Sequence, residues 1–147
     1  MATQYNKLMA IAHVKSSTGI RGTVRFFQRT RGTLVIAQIS GLPRDSETGF
    51  FAFHIHEGGS CIGAGFSGTL GHYDPDGQPH PRHAGDLPPL LSVGGTAYMS
   101  VLTGRFRADE VIGKTVVIHS GADDFHSQPS GNAGEKIACG VIERARW

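Results

Sequence analysis

Gly49-Phe50-Phe51-Ala52-Phe53-His54-Ile55-His56-Glu57 is the stretch on which the fold turns. It is short, aromatic-rich and entered from a polar turn, so it reads as a strand whose side chains alternate between two faces. His54 and His56 then share one face and Ile55 takes the other. Two strand rises of about 3.3 Å each set their Cα atoms roughly 6 to 7 Å apart, close enough for two imidazoles to converge on one small cation. A pair of solvated strand histidines has the same spacing. Outward from this stretch, similar runs recur at 7–14, 22–28, 33–39, 96–102, 115–119 and 137–142, punctuated by Gly and Pro. No convincing helical periodicity intervenes. The expectation is an all-β domain, a sandwich or flattened barrel, spanning residues 1–147. The 21 glycines, about twice the usual share near 7%, suit its tight turns.

The segment from Gly71 to Leu87 carries His72, His80, His83 and Asp86 among too many Pro and Gly residues for a helix or central strand. A loop from about Glu57 to Gly95 exceeds the roughly 12 to 15 residues a compact domain leaves unstructured, so something must pin it. A metal would do so: imidazole nitrogen and carboxylate oxygen are ligand types of tetrahedral zinc. The alternative is a polar surface loop with incidental histidines. Lys114-Thr115-Val116-Val117-Ile118 is a β-branched run of the buried-strand kind, and His119 at its end stands where scaffold gives way to site. Cys61 and Cys139 are compatible, from the residues alone, with a disulfide or with two unrelated buried thiols.

A formal charge of +2, with no basic stripe or interleaved aromatics, gives no case for nucleic acid. No run approaches the roughly 18 consecutive apolar residues of a membrane helix. Met1 to Lys7 lacks the apolar core of a secretory signal, which reads as cytoplasmic. If a signal has been trimmed, a periplasmic or extracellular location follows instead, since disulfides prefer oxidising compartments. Arg21, Arg25, Arg29 and Arg31 read as solvent-facing charges that discourage edge pairing. His13 and His126 read as exposed, Asp124 as solvated, and Glu143 to Trp147 as a tail whose Trp147 would serve as a contact in an oligomer. Monomer and homodimer fit equally.

Phe53-His54-Ile55-His56-Glu57, Gly71-His72-Tyr73-Asp74-Pro75, His83-Ala84-Gly85-Asp86-Leu87, Val117-Ile118-His119 and the run from Gly131 to Ile142 occur in an order that resembles the copper/zinc superoxide dismutase family. The resemblance runs from about Leu8 to Ile142 and is weakest before Gly49. It implies a Greek-key barrel with long metal-binding loops. It implies copper on His54, His56, His72 and His119, and zinc on His72, His80, His83 and Asp86, with His72 bridging. It implies a Cys61–Cys139 disulfide closing nearly eighty residues, worth on the order of 4 kcal/mol by chain entropy. It also implies that Asp123 accepts hydrogen bonds from His54 and His80, orienting both rings. The activity implied is conversion of superoxide to oxygen and hydrogen peroxide, with His72 and Lys136 catalytic.

Two features depart from the family. Lys136 stands where the family usually has arginine; it keeps the positive charge but loses the planar fork, so reduced efficiency is expected. His80 and His83 are separated by a shorter excursion than in many members, and the channel loop 124–130 carries few charges, so zinc binding and long-range guidance should both be weaker. Other readings are a non-catalytic or weakly active copper/zinc-binding protein of the same fold, a zinc hydrolase with Glu57 as base, and a zinc-stabilised binding domain without redox chemistry.

Overall fold

The computed structural model describes residues 7–146, and Trp147 lies outside them. Nine strands carry the architecture: β1 Lys7–Lys15, β2 Arg21–Arg29, β3 Gly32–Ser40, β4 Phe50–Phe51, β5 Phe53–His56, β6 Leu90–Leu91, β7 Ala97–Thr103, β8 Thr115–His119 and β9 Lys136–Arg144. Helix among the described residues is limited to two short 3-10 segments, Ala64–Thr69 and Ala108–Val111. Seven strands form one antiparallel sheet in the order β5-β8-β9-β1-β2-β3-β7, and β4 pairs with β6. The chain runs from β4 into β5 through Ala52, while β6 packs beside β7. The small ribbon therefore joins the two edges of the curled sheet into a flattened barrel, which suppresses exposed edges.

Alternation along the strands fills the interior. Ala10, Ala12 and Val14 of β1, Val24 and Phe26 of β2, and Val35, Ala37 and Ile39 of β3 point into one cluster with Phe53, Ile55, Val116 and Ile118. Phe106 plugs one end against Phe26, with ring centroids 6.4 Å apart.

Some expectations need correction. The strand anticipated over 49–56 is broken at Ala52, whose N–H donates to Gly121 O, so β4 and β5 belong to different sheets. Arg21, Arg25 and Arg29 lie on β2, which is paired on both sides, so they guard no edge; Arg25 bonds Gln38 and lies over Phe27. Glu143 and Arg144 belong to β9 rather than a tail, and Ala145 is buried, its N–H donating to Met9 O. Pattern reading underestimated β9 because its end is pinned by a distant partner.

Candidate metal centre

β5 has two buried faces. Phe53 and Ile55 enter the core, while His54 and His56 face the long connection that follows. That connection lies along β5 almost as a further strand: Tyr73 N–H donates to Ile55 O, Ile55 N–H to Gly85 O, and Glu57 N–H to Gly71 O, each at 2.8 Å. These bonds set His56 opposite His72 and His54 opposite Asp86. Gly85 is required at this approach, since a Cβ there would lie 2.4 Å from Ile55 O. His119 closes the group from β8. A register shift between Ile118 and His119 pairs His119 with Lys136 across β9, re-aiming both side chains at the site.

Four imidazoles, His54, His56, His72 and His119, each offer a nitrogen within 4.8 Å of the others. His54, His72, His80 and Asp86 form a second such group. His83 joins the second group through Nδ1, 3.2 Å from His72 Nδ1 and 3.1 Å from Asp86 Oδ2. His56 Nε2 and His119 Nε2 are 3.3 Å apart. Two ligands at about 2.0 to 2.1 Å from one tetrahedral ion stand roughly 3.3 Å apart, so both clusters have ligand-to-ligand spacing.

The outer nitrogens fix the tautomers. Asp123 accepts from His54 Nε2 at 2.8 Å and from His80 Nε2 at 2.7 Å. His56 Nδ1 donates to Leu70 O at 2.8 Å and His119 Nδ1 to Gly134 O at 3.4 Å. Each bond leaves the other ring nitrogen with a bare lone pair aimed inward. His54 Nδ1, His72 Nε2 and His80 Nδ1 are buried without any hydrogen-bond partner. Orphaned buried acceptors are costly unless something binds them, and a cation is the kind of partner such lone pairs fit.

Electrostatics keep these groups ready. Burial lowers the His54 pKa, holds His56 at about 2 and His119 at about 3, so all three rings are neutral near neutrality. Burial alone would raise Asp86 and Asp123. The hydrogen bond from His72 to Asp86, and those from His54 and His80 to Asp123, outweigh it and hold both carboxyls below the usual range.

A channel of about 410 Å³ reaches His56, His72 and His119, with Lys136 on its wall. Lys136 Nζ donates to Thr69 Oγ1 at 2.7 Å and Leu70 O at 3.0 Å, and burial lowers its pKa. The disulfide Cys61–Cys139 is formed and fastens the connection to β9. Glu57 pairs with Lys114 at 2.8 Å, so it is engaged elsewhere and not poised as a hydrolytic base. Asp124 is more than the solvated turn residue expected: it binds Ser127 Oγ and the N–H groups of His126 and Ser127, organising the channel loop. His126 and His13 are exposed, as expected.

Sequence reasoning passed over three residues that shape the site. Leu70 supplies the His56 acceptor from a left-handed backbone, φ 60°. Gln128 clasps His80 through both its N–H and its C=O. Arg105 reaches the carbonyls of Pro81 and His83. Backbone partners of this kind leave no sequence pattern.

The sequence profile of a family described as copper/zinc superoxide dismutase matches residues 20–142. Cu-Zn superoxide dismutase 2 of Aquifex aeolicus (strain VF5) is 36% identical, over 92% of this chain and 86% of its own length. Cu-Zn superoxide dismutase 1 of the same organism is 35% identical over 83% and 79%. The Cu-Zn superoxide dismutase of Photobacterium leiognathi is 34% identical over 83% and 78%. With the donor clusters standing at the positions of the resembling motifs, the chain belongs to the copper/zinc superoxide dismutase family.

Proposed function

We propose that the protein is a superoxide dismutase, an oxidoreductase that turns two superoxide anions and two protons into one oxygen and one hydrogen peroxide. His54 Nδ1, His56 Nε2, His72 Nε2 and His119 Nε2 would hold copper; His72 Nδ1, His80 Nδ1, His83 Nδ1 and Asp86 would hold zinc. Copper, favoured by an all-imidazole set, supplies one-electron exchange, and zinc, without an accessible redox step, supplies rigidity. The observation that carries this reading is the trio of buried ring nitrogens on His54, His72 and His80 that make no hydrogen bond, with His80 Nδ1 standing 3.1 Å from Asp86 Oδ2 at ligand-to-ligand spacing.

The residues divide the remaining work. His54 and His72 stand in both donor groups, but His54 Nε2 is held by Asp123, so His72 is the ring with a nitrogen for each. Its Nδ1 lies 2.8 Å from Asp86 Oδ1, while its Nε2 is buried without a hydrogen-bond partner in a ring that lines the channel, which makes it the atom suited to take up and give back a proton. Asp123 holds the His54 and His80 rings in one relative orientation. Lys136 spends two of its three N–H donors on Thr69 and Leu70, which fixes its ammonium on the channel wall and leaves one donor for an anion. Charge focused there draws superoxide inward. Among the described residues no helix is long and apolar enough to cross a membrane.

Metal analysis of protein from copper- and zinc-supplemented cells, paired with a superoxide assay of the same sample and of His119→Ala, tests the reading. Activity should follow copper content and collapse in the variant. Copper-loaded protein that consumes no superoxide would instead support storage or buffering of the metal.

A further inference from the structure

Arg105 belongs to neither donor group, yet it grips the loop that carries one. Its Nη1 donates to Pro81 O at 2.9 Å and to His83 O at 3.0 Å. Among the described residues the guanidinium pairs with no carboxylate, in contrast to Arg107 two residues on, which faces Asp109 at 3.5 Å. The foot of the side chain is rigid. Arg105 N–H donates to Thr103 Oγ1 at 3.1 Å, and the next residue, Phe106, is buried against Phe26 with its carbonyl accepting from Thr33 Oγ1 at 2.8 Å. The reach is therefore from the end of the barrel to the zinc-side loop.

That loop has little chain with which to hold its own shape. His80, His83 and Asp86 follow at intervals of three residues. His80 is clasped by Gln128, and Arg82 N–H turns back to Pro79 O at 2.7 Å. The carbonyl of Pro81 has no other protein donor among the described residues, and that of His83 has only the N–H of Asp86.

We propose that Arg105 is a positioning residue for the zinc ligands His80 and His83, a role that rests on the zinc assignment above. One nitrogen placed between two carbonyls fixes their separation, and with it the angle between the two imidazoles, compensating for the short excursion between them. Removing a partner that hydrogen-bonds a ligating side chain typically costs about 10- to 100-fold in metal affinity; Arg105 acts on backbone carbonyls one step further out, so the lower end, about tenfold, is expected.

The sign of the effect separates this role from simple electrostatics. Arg105 is a cation beside a dication site, so deleting it should tighten zinc binding by Coulomb's law. A strut predicts weakening. Zinc titration of the metal-free full chain against a chromophoric chelator should show Arg105→Ala weaker by about tenfold, Arg105→Lys between it and wild type, and Arg107→Ala unchanged. Copper affinity should stay at the wild-type value. Amide hydrogen exchange of residues 82–86 in the metal-free protein should speed up in Arg105→Ala while the β1–β3 amides stay protected, a check on folding. Equal or tighter zinc binding in Arg105→Ala with unchanged loop exchange overturns the proposal. If that variant does not fold, the same two readings on Arg105→Lys decide. If wild-type protein takes up no zinc, the zinc assignment fails, and loop exchange alone then decides whether Arg105 is a strut.

Discussion

Gly131→Ala offers a sharp test of the Asp123 bridge. Gly131 sits at φ 75°, and a Cβ added there would lie 2.1 Å from Asp123 Oδ1 and 2.6 Å from His80 Nε2, the two atoms of one hydrogen bond. Both are far inside the 3.0 Å that real Cβ contacts essentially never breach. The bond must open by roughly 1 Å, which at charge-assisted strength costs about 1.5 to 3 kcal/mol. The left-handed backbone adds about 1 to 2 kcal/mol for alanine. Freed from Asp123, His80 loses the contact that keeps its Nδ1 bare, and zinc affinity should fall about 10- to 100-fold. Gly77→Ala is the control: φ is 65° but nothing lies within 4 Å of the new Cβ, so it should carry the backbone cost alone. Urea unfolding and zinc competition on metal-free protein read both quantities. Wild-type zinc affinity in Gly131→Ala, or equal losses in the two variants, would refute the bridge as the element that orients His80.

Further outcomes are specific. Replacing both Cys61 and Cys139 by serine should lower unfolding free energy by about 2 to 5 kcal/mol, because 78 residues are released in the unfolded chain; an unchanged urea midpoint would contradict this. Lys136→Ala should reduce kcat/KM for superoxide by about tenfold or more and flatten its salt dependence, while Lys136→Arg, restoring a planar fork, should exceed wild type; an inert Lys136→Ala would remove the residue from anion guidance. The metal-free protein should lose stability as pH falls. Burial holds His56 at about 2 and His119 at about 3 when folded, against 6.5 unfolded, so the unfolded chain binds more protons between those values. Stability from these two neutral rings is complete above 6.5 and drains as pH drops toward 3; a flat urea midpoint across that window would count against burial as the cause.

Much of the site could be read along the chain because its ligands come in local clusters. The alternation at His54 and His56, the crowding of His80, His83 and Asp86 in a Pro-rich loop, and His119 at the end of a β-branched run are patterns within a few residues. Strand existence was legible for the same reason, since β3 and β7 alternate and β8 runs buried along their length, and β1 and β2 alternate through their middle. The resemblance to a family then linked the separate motifs.

What residue order determined, then, is the inventory: which side chains can bind metal, which segments are strands, and that one long connection must be held by something. The Asp123 link followed from the resemblance, but which nitrogen of His56 and His119 is bare was decided only in three dimensions, by acceptors at Leu70 and Gly134 that lie 14 and 15 positions away along the chain. The break at Ala52 and the grip of Arg105 on Pro81 and His83 belong to the same class. A hydrogen bond or a close backbone approach depends on distance in space, and strand order in a closed sheet sets that distance without leaving any period in the sequence.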